Sequence, residues 1–221
     1  MSKKQTEKPI LADEMLGKSE EFVIRYKKAI IGGIAAIVVC VLGFILYSKY
    51  VSEPQETAAN NAIFKAQQYF EQNDFETALN GDGVNAGFLK VIEEHSGTNA
   101  GNLAYAYAGF CQAQMGNYDE AIKNLEEFDS NDKILGPKAM HALAMCYAHK
   151  ENLDKALSVL LDAAEKAENS AITPRCWMDA AAIYEQQGKG AEAKKLYERV
   201  KKEYPQSPEA INIDKFINSA N

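Results

Sequence analysis

From Ala29 to Tyr47 the chain runs 19 residues without a charge. As a helix that run is roughly 28 Å long, close to the ~30 Å hydrocarbon core of a bilayer. Eleven of the 19 are Ile, Val, Leu or Phe, which together contribute roughly −3 to −7 kcal/mol to insertion near the bilayer centre. A soluble core helix would show a polar side, and this run has none. Tyr47 and Tyr50 stand at its far edge, where amphipathic rings favour the interface.

A cleaved signal peptide fits the flanks less well. Its apolar part is shorter and ends in a small-x-small site, whereas Ser48, Lys49 and Tyr50 follow here and the first Ala-rich stretch begins at Ala58. Lipoprotein processing at Cys40 is disfavoured by the bulky Ile37, Val38 and Val39 before it. The expectation is an uncleaved single-pass anchor. Lys18, Arg25, Lys27 and Lys28 precede the run and only Lys49 closely follows it. The positive side stays in the cytoplasm, so residues 1–28 are expected as a cytoplasmic tail. Residues 29–48 are then the transmembrane helix, 49–57 a linker, and 58–221 a domain across the membrane. In a Gram-negative cell that is the inner membrane with a periplasmic domain. Gly32, Ala36 and Cys40 recur four apart, with Gly43 on a nearby face, a spacing that lets a second membrane helix approach closely.

The exported part carries 17 basic and 26 acidic residues, a net charge of −9. That argues against nucleic acid and anionic lipid as main partners, and it also keeps such a domain soluble. Cys111, Cys146 and Cys176 are an odd number without tight spacing. One disulfide with a leftover thiol, or three small buried residues, both fit the sequence, and no zinc spacing occurs.

The exported part repeats itself. QMGNYDEAIKNLEEF (114–128), HKENLDKALSVLLDA (149–163) and QQGKGAEAKKLYERV (186–200) each place a turn, then Ala, then a large residue four on. The Ala falls at Ala121, Ala156 and Ala193, spaced 35 and 37, and EQNDFETALNG (71–81) places Ala78 in the same role. This pattern resembles the tetratricopeptide repeat family. Repeat four carries it as Trp177, Ala181, Tyr184, Gly188, Ala193, Tyr197 and Pro205. Repeat two has Tyr105, Gly109, Gly116, Tyr118, Ala121 and Leu125; repeat three has Met140, Ala144, Tyr147, Leu153, Ala156 and Leu160; repeat one has Ala66, Tyr69, Phe75 and Ala78.

The resemblance implies an all-α solenoid of helical hairpins with repeats at about 58–100, 101–136, 137–173 and 174–207. Small residues let paired helices approach, Tyr69, Tyr147 and Tyr184 fill larger gaps, and no hairpin buries its face alone. Pro208 opens a capping helix over 208–219, for which Ile211, Phe216 and Ile217 have suitable spacing. Repeat one departs from the pattern between Ala78 and Phe88, where about six extra residues in NGDGVNAG predict a turn that breaks its second helix. DGVNAG lacks the alternating acidic ligands and closing Glu of a calcium loop.

No nucleophile elbow, HExxH, P-loop or GxGxxG occurs, so no enzyme and no cofactor is expected. His141, Met145 and His149 share a helix face, but they span about 12 Å, too far for one ion.

The family's concave face, lined by the first helices, binds peptides. The resemblance places Asn60, Ile63, Gln67 and Phe70 there, with Leu103, Ala106 and Phe110. Lys138, His141, Met145, Arg175, Met178 and Glu185 follow from the later repeats. A basic carboxylate clamp is not matched, since Ile63 and Gln67 occupy its positions. The expected partner site is Phe70, Phe110, Met145 and Met178 as apolar contacts, with Lys138, His141 and Arg175 beside them. The layout of tail, anchor and exported repeats resembles the YfgM-type ancillary subunits of the SecYEG translocon. That implies the translocon, a membrane-anchored periplasmic chaperone or exported clients as protein partners. A scaffold for another envelope complex is the alternative.

Overall fold

The apolar run lies in one long helix, α1 (Ile10–Tyr47), in a computed structural model that describes residues 10–220, with side chains from Ile24 onward. The side chains of its apolar stretch face outward: Ile34 is 57% exposed, Val39 68% and Phe44 72%. By length and composition the helix can cross a membrane. Helical structure begins by Ile10, so the expected tail is helical over most of its length, and residues 1–9 lie outside the described residues.

Residues 49–57 are helical as well. Ser48–Ser52 form a π-helical turn, closed by the Glu53 amide donating to the Ser48 carbonyl. Pro54 explains the widening, because it has no N–H to give and its ring crowds the carbonyl four residues back. The chain divides into two units between Pro54 and Gln55.

The second unit is a series of helix pairs. Repeat one pairs α2 (Glu53–Glu71) with a broken second helix, α3 (Phe75–Asn80) and α4 (Phe88–His95). Then come α5 (Asn99–Gln114) with α6 (Tyr118–Glu127), α7 (Leu135–His149) with α8 (Leu153–Ala167), and α9 (Thr173–Gln186) with α10 (Gly190–Glu203). Four hairpin turns use the same bond: Asp74 N–H to Tyr69 O, Asn117 to Gln112, Asn152 to Tyr147 and Lys189 to Tyr184, at 2.8–3.0 Å. Each turn passes through a left-handed residue, at Asn73, Gly116, Glu151 and Gly188. This is the six-to-one closure that satisfies orphan carbonyls at a helix end.

The core is rich in alanine. Ala78, Ala121, Ala156 and Ala193 are fully buried, as are Ala144 and Ala181 on the facing helices. Small side chains bring the backbones together. At Gly109 a Cβ would lie 2.5 Å from Leu125 Cγ, so α5 and α6 meet there without room for a methyl group. One cluster joins repeats one and two, and a second runs from Ala121 to the C-terminal cap.

The NGDGVNAG segment is a built turn. Asp82 accepts hydrogen bonds from the amides of Val84 (2.8 Å) and Asn85 (2.6 Å), the Asn85 side chain (2.7 Å) and the Tyr69 hydroxyl (2.8 Å). Gly81 and Gly83 take φ of +86°. The backbone amide and side chain of Asn85, the Val84 amide and Tyr69 hold the Asp82 carboxyl well below its ordinary range.

The cap differs from expectation. A short 3-10 turn (Pro208–Ala210) precedes α11 (Ile213–Ser219). Ile213 is the buried residue, Ile211 is 69% exposed and Phe216 is 37% exposed. Asn212, left-handed at φ +62°, separates Ile211 from the helix and moves the buried face to Ile213.

Candidate functional site

At one end of the first-helix face lies an aromatic cleft. Phe70 ends α2 and Phe75 opens α3, while α5 contributes Tyr107 and Phe110. Phe70 contacts four rings, with centroids at 5.0 Å (Tyr107), 5.6 Å (Phe75), 6.4 Å (Phe88) and 6.4 Å (Phe110). Phe88 stacks on Tyr107 at 5.1 Å. The cleft beside them holds about 350 Å³ and is lined by Phe70, Phe75, Phe110, Ala113 and Ala142, with Asn73 and Gln114 as its polar groups. No charged side chain lines it. It can take an apolar side chain, and the Asn73 and Gln114 amides give its lining groups that can donate to and accept from a peptide.

On the first helices of repeats three and four, α7 and α9, a polar cluster forms. His141 on α7 meets Asp179 on α9 at 2.6 Å (Nε2 to Oδ2), and the Arg175 Nε–H donates to the same oxygen at 3.0 Å. Asp179 is only 23% exposed. Burial pushes its carboxyl up, but hydrogen bonds from His141 and Arg175, and their charges, outweigh burial and hold it below the ordinary range. Arg175, although 61% exposed, is therefore partly neutralised by Asp179 rather than offered whole to an acidic ligand.

The expected site residues thus fall into different environments. Phe70 and Phe110 come together in the cleft. His141 and Arg175 come together on Asp179. Met178 is half-buried against the core, Met145 is half-buried on α7, and Lys138 is exposed. Ile63 and Ala106, expected in the groove, are buried in the core. Sequence reasoning missed Phe75 and Asp179. Phe75 stood in the repeat pattern only as a turn residue, and Asp179 was readable as the i+4 partner of Arg175. His149 stacks on Tyr118 at 4.5 Å and takes no part in the groove.

The three thiols of the domain are free and buried. Burial pushes Cys111 up to about 12 and Cys146 up to about 11. Burial and the nearby Asp179 charge push Cys176 up to about 12. Among the described residues no cluster of three His, Cys, Asp or Glu side chains could hold a metal ion.

The helical pairs, their shared turn bond and the buried alanines define a repeat protein of the class that mediates protein–protein contacts. Residues 20–215 match the model of the tetratricopeptide repeat-like domain, and the chain belongs to that family. The matched stretch includes the run Ala29–Tyr47. A fold of this kind is generally a non-catalytic interaction scaffold. Among solved structures, the chain is similar to the nearly identical TPR-like repeats of a Podosopora anserina kinesin light chain. The identity is 14% and the TM-score 0.58, over 75% of this chain and 86% of that one. A single-substitution variant of the same protein gives 14%, 0.58, 75% and 85%. At such identity the likeness speaks for the fold alone. A comparison with curated proteins finds no match.

Proposed function

We propose that the protein is a single-pass membrane-anchored adaptor that holds a segment of a partner protein on its repeat domain. In this reading α1 spans the inner membrane with the basic flank in the cytoplasm, and the repeats work in the periplasm. Their partner is the Sec translocon, with its membrane-anchored chaperone or exported clients. The observation that carries the reading is the uncharged aromatic cleft at Phe70 and Phe110 on a domain that is otherwise acidic. Burying apolar area there supplies affinity at about 25 cal/mol per Å² before ordering costs. The outward-facing apolar side chains of α1 support the anchor, since a run of this length exposed to water would aggregate.

A photo-crosslinking residue in place of Gln114, at the cleft rim, tests the reading in intact membranes. Crosslinks to a translocon subunit or its chaperone are expected, and Phe110→Ala should remove them while thermal stability is monitored alongside. Crosslinks only to another envelope complex would replace the translocon by that complex. No crosslink from a folded domain would overturn the groove.

A further inference from the structure

A second cavity, about 490 Å³, opens between α8, α9 and α10 and shares no residue with the aromatic cleft. Its walls are aromatic and acidic. Trp177 and Tyr204 form one side, with ring centroids 5.6 Å apart, and Glu165, Glu168 and Glu203 stand around it with one basic residue, Arg199. We propose that this cavity is a second binding site, which takes a lysine or arginine side chain from a basic segment of a partner protein.

The cavity already displays the chemistry. The Arg199 guanidinium carbon lies 4.0 Å from the centre of the Trp177 ring, the placement in which an indole face attracts a cation. Arg199 is otherwise held by Glu203 one turn on, through Nε at 2.9 Å and more loosely through Nη2 at 3.5 Å, in a pair whose side chains are 52% and 41% exposed. Exposed i,i+4 pairs are weak, so an incoming cation can displace Arg199 from the ring. The charge balance favours such a guest. Three carboxylates face one guanidinium, Lys133 binds Glu168 at 2.7 Å, and no ion pair engages Glu165 among the described residues. Leu161 and Ala164 supply an apolar wall for the aliphatic stem that lysine and arginine carry. A partner bound here leaves the aromatic cleft open, so one repeat domain can hold two segments at once.

Trp177 is the only tryptophan in the chain, so intrinsic fluorescence reports on this cavity directly. The full-length protein in a zwitterionic detergent, which adds no tryptophan, is titrated with acetyl-tetra-arginine amide, and with tetra-glutamate and tetra-glutamine as comparisons. A saturable change in Trp177 emission is expected with tetra-arginine alone. Glu165→Gln should weaken it about 5-fold or more. Arg199→Ala, which removes the internal competitor, should tighten it about 2- to 5-fold. Phe110→Ala should leave it unchanged, which separates this site from the groove. Helical circular dichroism confirms that each variant is folded. The proposal is overturned by no saturable change, by an equal response to tetra-glutamate or tetra-glutamine, or by unaltered half-saturation in Glu165→Gln.

Discussion

The Glu56 carboxylate accepts hydrogen bonds from the backbone amides of Asn99, at 2.8 Å, and Ala100, at 3.1 Å. A side chain 43 residues upstream thereby satisfies two orphan donors at the start of α5. Thr98 caps the next one, accepting from the Gly101 amide at 2.9 Å. The negative charge also meets the positive end of the helix. Glu56→Ala should destabilise the repeat domain by about 1 kcal/mol, and Glu56→Gln by less. Thermal denaturation of the two variants checks this; equal losses would assign the effect to the carboxylate charge, since Gln keeps an acceptor oxygen.

Close helix approach sets the second prediction. Gly109→Ala forces a methyl group into Leu125 and should cost about 1–3 kcal/mol. Gly101→Ala places its Cβ against the His95 carbonyl oxygen, which is backbone and less able to yield. Urea denaturation should rank Gly101→Ala as the more destabilising of the two.

The hairpin turn of repeat three is strained where repeats two and four have glycine. Glu151 sits at φ +60° and is exposed. A non-glycine residue there costs about 1–2 kcal/mol, partly offset by the extra freedom glycine has when unfolded. Glu151→Gly should therefore raise the melting temperature, and a fall would show that the side chain compensates elsewhere.

Acid should loosen the Asp82 turn. Because the carboxyl of folded Asp82 is held below its ordinary value near 3.8, its contribution is complete above that value. It is lost as pH falls from there towards the lower folded value. Between neutral pH and pH 3 the wild-type protein should lose more stability than Asp82→Asn, whose turn lacks the titrating group. Parallel acid titrations followed by circular dichroism make the comparison.

Buried thiols with strongly raised pKa values are poor nucleophiles. In a Cys40→Ser variant, Cys111, Cys146 and Cys176 should resist a thiol reagent at pH 8 under native conditions and all react in denaturant. Fast reaction of any of them in the folded protein would contradict their burial.

Much of the fold was legible because the repeat leaves a period. Ala78, Ala121, Ala156 and Ala193 are buried for the reason their spacing predicted: each lets two backbones approach. The NGDG turn was legible because glycine and Asp have few alternatives in such a run. The cap was misread at Ile211, since period alone ignores that Asn212 turns left-handed. The aromatic cleft was legible only in part. Phe70 and Phe110 were found from their place on the first helices, but Phe75 arrives beside them only because Asn73 and Asp74 turn the chain back.

By itself, the sequence determined an apolar helix of membrane-spanning length and a stack of helix pairs, because both depend on local composition and on a repeated spacing. Only the tertiary structure decided which side chains share a space. It brought His141 to Asp179, 38 residues away, laid Arg199 on Trp177, and sent Ile63 and Ala106 into the core. These outcomes depend on how each helix is rotated about its axis against its neighbours. That rotation is set by side-chain packing across repeats, which no single repeat encodes.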